Sequence, residues 1–320
     1  MATDTQEKSM RVAGLDIGTN TCLCLIADIA KDSFKVIRDE VRVVRLGQGV
    51  HASRELHPEA LARAELAFKE FQHFIAEAKC DRVLAVATSA ARDVTNASAL
   101  IELGRKYGIP IEIISGEKEA ELTFDGAIEP SWSGTTAVID VGGGSTELIV
   151  GNQNGILARV SADVGSVRLT ELCVTAQPIS EIEVLDMRSR VGRALEAAKV
   201  KLTAALQAGK RVGEMKIDRV IGVAGTPTTL AAVDLGHAFE TERVHGHVFS
   251  LEKLEDWSAK LAKLSVGERQ KLAGMEPKRA DVIVAGVICV TEAMRVIPTL
   301  QLQVSVRGLR YGVAKWCASR

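Results

Sequence analysis

Val138-Ile139-Asp140-Val141-Gly142-Gly143-Gly144-Ser145-Thr146-Glu147-Leu148-Ile149-Val150 decides how the rest of the chain is read. An aliphatic run ends in Asp140, three glycines turn the chain, and a second aliphatic run begins after Glu147. Consecutive glycines allow backbone angles closed to other residues and let the main chain approach a ligand closely. Successive N–H groups in such a turn make a concave nest for an anion, phosphate above all. Asp140 and Glu147 flank that nest with negative charge, which repels phosphate unless a cation lies between. The pattern therefore points to a metal–phosphate site.

The pattern occurs earlier as well, in Gly14-Leu15-Asp16-Ile17-Gly18-Thr19-Asn20-Thr21-Cys22-Leu23-Cys24-Leu25-Ile26. Asp16 matches Asp140, Gly18 matches Gly142 and Thr21 matches Ser145. Ordinary hairpins can use Asp-Gly turn chemistry, but they need no aspartate and hydroxyl repeated at matched offsets. Neither copy is a Rossmann or Walker A loop. Those lead from a strand into a helix, and the second requires a lysine before its Ser/Thr.

Composition sets the outer bounds. At 320 residues the chain suits two domains, each able to bury a core. Aromatics make up only 4%, so those cores should be aliphatic, and the net charge of −1 argues against a dedicated nucleic-acid binder. The polar first ten residues lack an apolar signal core, and no apolar run reaches bilayer length. Six cysteines at 22, 24, 80, 173, 289 and 317 form no CxxC pair, which suggests reduced, buried thiols in a cytoplasmic protein.

Beyond the first hairpin, strands are expected at Phe34–Ile37 and Val41–Leu46. A helix follows from Pro58 to about Cys80, with Leu61, Ala64, Phe68, Phe71 and Ile75 on one face. A strand at Val83–Ala87, a helix near Ala97–Tyr107 and a strand at Ile111–Ile114 continue the alternation, which implies a sheet covered by helices. Pro130–Gly134 reads as the crossover to a second domain. After the central hairpin come strands Ile156–Val160, Arg219–Ala224 and Leu300–Ser305, with helices at Ser180–Ala208 and Val282–Val296 and a terminal helix from Gly308. In Ser115-Gly116-Glu117-Lys118-Glu119-Ala120, Ser115 suits an N-cap, and on physics alone the glutamates read as dipole compensation in a first helical turn. His245-Gly246-His247 would put two imidazoles on one face if extended, but no third ligand lies nearby in sequence.

Two such hairpins in one chain resemble the superfamily of actin, sugar kinases and heat-shock chaperone ATPases. Within it, the wording of the hairpins, of Ile114–Ala120, of Gly165–Glu171 and of Gly308–Val313 is similar to the exopolyphosphatase/guanosine pentaphosphate phosphatase (Ppx/GppA) family. The resemblance runs from about Val12 to Val313. It implies an α/β fold of two actin-like (ribonuclease H-like) domains, each a mixed sheet flanked by helices, with the active site in the interdomain cleft. The expected division is 11–130 plus a returning helix at about 307–320, and 134–306.

The resemblance also implies roles. Glu119 would activate the attacking water, and Glu117 falls where the family varies. Gly18, Thr19, Asn20, Thr21, Arg92, Gly142, Gly143, Gly144, Ser145, Gly225 and Thr226 would bind phosphate, with Arg168 and Arg279 as further substrate contacts. A surface arginine is the plain alternative for Arg92. Asp16, Asp140 and Glu147 would hold Mg²⁺ or Mn²⁺; K⁺ assistance is left open. Relatives imply a homodimer that splits inorganic polyphosphate or guanosine pentaphosphate, with neither nucleic acid nor membrane as partner; a sensing protein without turnover is the different-class alternative. One departure stands out. Where many members place an arginine or histidine, two positions after the first loop's hydroxyl, this chain has Leu23.

Overall fold

The computed structural model describes residues 9–31, 33–129, 131–208, 216–297 and 299–320. Pro130 of the expected crossover and most of the polar leader lie outside them. The chain forms two compact units, one of Met1–Ser115 with Leu309–Arg320 and one of Gly116–Gly308.

In the first unit, β1 (Met10–Ile17), β2 (Thr21–Ala30), β3 (Ser33–Val43), β4 (Arg82–Ala87) and β5 (Ile111–Ile113) assemble in the order β3-β2-β1-β4-β5. The first three pair antiparallel, while β4 and β5 run parallel to β1. The strands expected at 34–37 and 41–46 are one strand. A bulge opposite Ile26/Ala27 absorbs the break in their alternation. That strand stops at Val43 because the N–H groups of Val44 and Arg45 turn to the Asn20 carbonyl.

The helix Pro58–Ala78 starts on a proline, which has no N–H to leave unpaired. It buries Ala60, Ala64, Ala67, Phe68 and Phe71 and ends on Lys79 in the left-handed region. The terminal helix Leu309–Ser319 belongs to this unit. It lies so close to β1 that a Cβ on Gly14 would stand 2.6 Å from the Ala314 nitrogen. Tyr311 stacks on Phe34 at 5.4 Å, and Arg310 grips Asp39 with two hydrogen bonds of 2.8 and 2.7 Å.

In the second unit, β6 (Thr136–Val141), β7 (Thr146–Asn152), β8 (Gly155–Ala162), β9 (Arg219–Val223), β10 (Val248–Ser250) and β11 (Gln301–Val304) form the sheet β10-β11-β9-β6-β7-β8. Without its short edge strand β10, this sheet repeats the order and directions of the first. β6 is buried throughout, which is why it reads as an unbroken aliphatic run. Val138 and Ile149 pack against Ala120 and Phe124 of the helix Gly116–Ala127. Ala137, Ile139, Leu148 and Val150 face the main core, which the helices Glu181–Ala208 and Ile283–Val296 complete. Because Ala120 and Phe124 close the far face of β6 and β7, the units divide at Ser115/Gly116 rather than near residue 130.

The cysteines are free thiols; Cys80 is only half-buried, whereas the other five are buried. No helix among the described residues is long and apolar enough to cross a membrane.

Candidate active site

Each sheet carries one glycine hairpin, and both are built in the same way. In the first unit, the Gly18 N–H closes onto the Thr21 carbonyl at 2.8 Å; in the second, the Gly142 N–H closes onto the Ser145 carbonyl at 2.9 Å. In both, the segment after the third strand takes up the loop's carbonyls. Gly47 donates to Thr19, and Val44 and Arg45 donate to Asn20. In the second unit, Ser166 donates to Gly142, while Val167 and Arg168 donate to Gly143. The amides of Thr19, Asn20, Gly143 and Gly144 have no protein acceptor among the described residues. Two nests of unpaired N–H groups result, the construction that binds an oxyanion.

Two further glycines make this bracing possible, and sequence reasoning did not assign them to the site. A Cβ on Gly47 would lie 2.2 Å from Thr19 Cγ2, and one on Gly165 would lie 2.7 Å from both the carbonyl carbon and oxygen of Gly143. Both are demands of close approach. The matched placement of the two glycines after a third strand was the signal available in the sequence.

The carboxylates gather in the second unit. Asp140 and Glu147 are direct partners across the β6–β7 ladder, so their side chains share one face of the sheet. Glu119, on the helix Gly116–Ala127, is buried, and its charge bears on both. Burial, and then the Glu119 charge, push the Asp140 carboxyl up to about 7, against the pull of the Thr123 hydroxyl. Burial, Glu119 and Asp140 raise Glu147 well above the usual carboxylate range, opposed by the hydroxyls of Ser161 and Ser145. Thr123 donates to Asp140 Oδ2 at 3.2 Å, and Ser161 to Glu147 Oε1 at 2.7 Å. The other oxygen of Glu147 is buried without a partner. Glu117, two residues before Glu119, points away; its side chain is 82% exposed and meets Arg159 at 3.7 Å.

The remaining expected residues divide. Thr19 and Ser89 join the first loop to the turn after β4 through hydroxyls 2.9 Å apart. In that turn, Arg92 gives one N–H to the Ile114 carbonyl. The buried amide nitrogen of Asn20 has no partner. In the second unit, Arg168 uses Nε on the Gly144 carbonyl, so it braces the loop. Arg279 lies directly on the Cα of Gly225, where a Cβ would meet its Nη1. Thr226 is buried against Gly286. Ala224, before that loop, holds φ 71 and ψ −170, a strained conformation for a side-chain-bearing residue. The two imidazoles of His245 and His247 part company: one meets Glu129 at 3.1 Å, the other Asp234 at 3.2 Å. Asp16 belongs to the first unit, with Leu23 opposite it on β2.

No three His, Cys, Asp or Glu side chains form a ready cage for a metal among the described residues. Mg²⁺ seldom asks for one, since it takes one or two carboxylates and fills the rest with water and phosphate oxygens. The donor set here is of that kind. The unpartnered Glu147 oxygen is an acceptor of the kind that suits a cation, and the unpartnered Asn20 amide a donor of the kind that suits an anion.

A doubled mixed sheet with a phosphate-type hairpin at the head of each copy, one copy carrying buried carboxylates, defines an actin-like fold fitted for phosphoryl chemistry. The comparisons agree. Residues 25–316 match the Ppx/GppA phosphatase family. Exopolyphosphatase 2 of Mycobacterium tuberculosis is 36% identical over 322 residues, 95% of this chain and 97% of that protein. A guanosine-5'-triphosphate,3'-diphosphate pyrophosphatase of Vibrio vulnificus is 26% identical over 94% of this chain and 58% of its own length. Among solved structures, an exopolyphosphatase from Cytophaga hutchinsonii superposes with a TM-score of 0.84 at 29% identity, covering 97% of this chain and 98% of its own. The chain belongs to the Ppx/GppA phosphatase family and is an enzyme of exopolyphosphatase-like type.

Proposed function

We propose that the protein is an exopolyphosphatase that releases orthophosphate from the end of inorganic polyphosphate, with short chains preferred. The observation that carries the reading is the buried trio Glu119, Asp140 and Glu147 beside a loop of unpaired amides. Three mutually repelling carboxylates are costly to bury unless a cation neutralises them. Unpaired amides are costly unless an anion fills them. A divalent cation with a phosphate chain removes both costs at once.

Phosphoryl transfer needs positioning and charge neutralisation more than covalent chemistry. The glycine loops would hold phosphate oxygens on main-chain N–H groups, with Asn20 adding its side-chain amide. Asp140 and Glu147 would hold Mg²⁺ or Mn²⁺, which supplies Lewis acidity at the phosphate oxygens when bound. Glu119 would orient the attacking water and accept its proton. A site built of main-chain amides and hydroxyls would give a nucleobase little to stack on; the chain has only seven Phe, three Trp and two Tyr.

Guanosine pentaphosphate hydrolysis is the second reading, favoured by the Vibrio relative. The deciding experiment compares phosphate release from short polyphosphate, long polyphosphate, guanosine pentaphosphate and ATP. A catalytic efficiency on guanosine pentaphosphate above that on every polyphosphate length would replace the first reading with the second.

A further inference from the structure

We propose that Thr123 and Ser161 are positioning residues that hold one oxygen each of Asp140 and Glu147, so that the remaining carboxylate oxygens meet a divalent cation in a fixed orientation. The proposal rests on the metal-assisted reading above, and it assigns work to two hydroxyls outside the glycine hairpins.

The case for Thr123 comes from what other threonines in this chain do. Thr170, Thr228 and Thr291 each donate to the carbonyl four residues back, at 2.7, 2.9 and 2.7 Å. That is the common habit of a helical threonine. Thr123 instead reaches out of its helix to Asp140 Oδ2. A hydroxyl has a single proton to give, and here it goes to the carboxylate. Thr123 is fully buried and sits four residues after Glu119, one turn along the same helix face. The bond therefore ties the helix that carries Glu119 to the strand that carries Asp140.

Ser161 completes the arrangement from the other side. It lies opposite Glu147 on β8, extending the row Asp140–Glu147–Ser161 across three strands. Its residue is exposed, yet its hydroxyl turns inward to Glu147 Oε1. The buried Oε2 is left as the unpartnered oxygen. In the first sheet the corresponding row is Asp16–Leu23–Val41, where neither partner can donate. A hydroxyl in this cross-strand row is thus a feature of the sheet that holds the carboxylate pair. Outer groups that orient metal ligands in this way are typically worth about 10–100-fold in metal affinity.

The test measures Mn²⁺ binding to the full chain by calorimetry, together with turnover of short polyphosphate. Thr123→Val and Ser161→Ala should each raise the Mn²⁺ Kd by roughly 10–100-fold. Thr123→Ser, which restores the hydroxyl, should bring it back to within about threefold. Melting temperatures in chelator should stay close to wild type for Ser161→Ala and Thr123→Ser. Asp140→Asn and Glu147→Gln serve as controls for the underlying reading. If both controls bind Mn²⁺ like wild type, the metal reading itself fails. If the controls lose Mn²⁺ but Thr123→Val and Ser161→Ala bind it normally, the positioning role alone is wrong. It is equally overturned if Thr123→Ser binds as poorly as Thr123→Val.

Discussion

Asp140 and Glu147 face each other across the β6–β7 ladder at the same register at which Asp16 faces Leu23 across β1–β2. The two hairpins share their turn closure, and each is braced by the segment after its third strand, one residue earlier in the loop in the second copy. A carboxylate in the second copy is an aliphatic side chain in the first. The duplicated fold therefore concentrates its buried negative charge in one unit.

The helix Gly116–Ala127 sends Glu119 inward and Glu117 outward. Glu119→Gln should lower kcat roughly 10²–10⁴-fold, the span of a positioned general base, with KM little changed. Glu117→Gln should stay within about threefold of wild type on the same scale. Steady-state phosphate release from short polyphosphate checks both, and reversed effects would move the base to the wrong glutamate.

Stability without metal should fall as pH rises. Asp140 is held at about 7 when folded, above its ordinary 3.8. A carboxyl raised in this way favours the folded state below about pH 4 and loses that contribution as the pH climbs through 7. In chelator, wild type should melt below Asp140→Asn at about pH 8 by several degrees, and the gap should close toward pH 4. Mg²⁺ should raise the wild-type melting temperature and leave the variant's nearly unchanged. A gap independent of pH would contradict the burial of an ionisable Asp140.

Gly165→Ala places a methyl group against the Gly143 carbonyl. The helix Ser166–Cys173 must then retreat, and the loop loses the donors that fix its carbonyls. Turnover should drop by at least about tenfold, since misplacement of about 1 Å can cost on the order of 10²-fold. Circular dichroism should show an intact fold. Unchanged kinetics would mean the loop holds its shape without this bracing.

Leu23 lies beside Asp16 on the same sheet face and is partly exposed. Leu23→Arg brings a cation next to that carboxylate and should shift preference toward longer polyphosphate. The gain should shrink as salt rises, because screened contacts weaken within a Debye length of about 10 Å at 0.1 M. A chain-length profile identical to wild type would place this side chain away from the substrate.

The linear order of residues determined the repeat itself. Matched aspartate, glycine and hydroxyl offsets, each bounded by aliphatic runs, are local properties, and they produced both hairpins at the expected positions. The same holds for the helix Pro58–Ala78, whose face repeats every three to four residues. Burial depends on contacts far along the chain. The matched placement of Gly47 and Gly165 singles them out, but only packing shows that Thr19 and Gly143 press against them. A threonine in a helix reads like any other until a strand brings Asp140 within reach of Thr123. The helix that carries Glu119 joined the second unit because Ala120 and Phe124 had Val138 and Ile149 to cover. Local pattern set which elements form, because backbone geometry is decided by near neighbours. Tertiary packing decided which carboxylates lose their water and which hydroxyls they find instead.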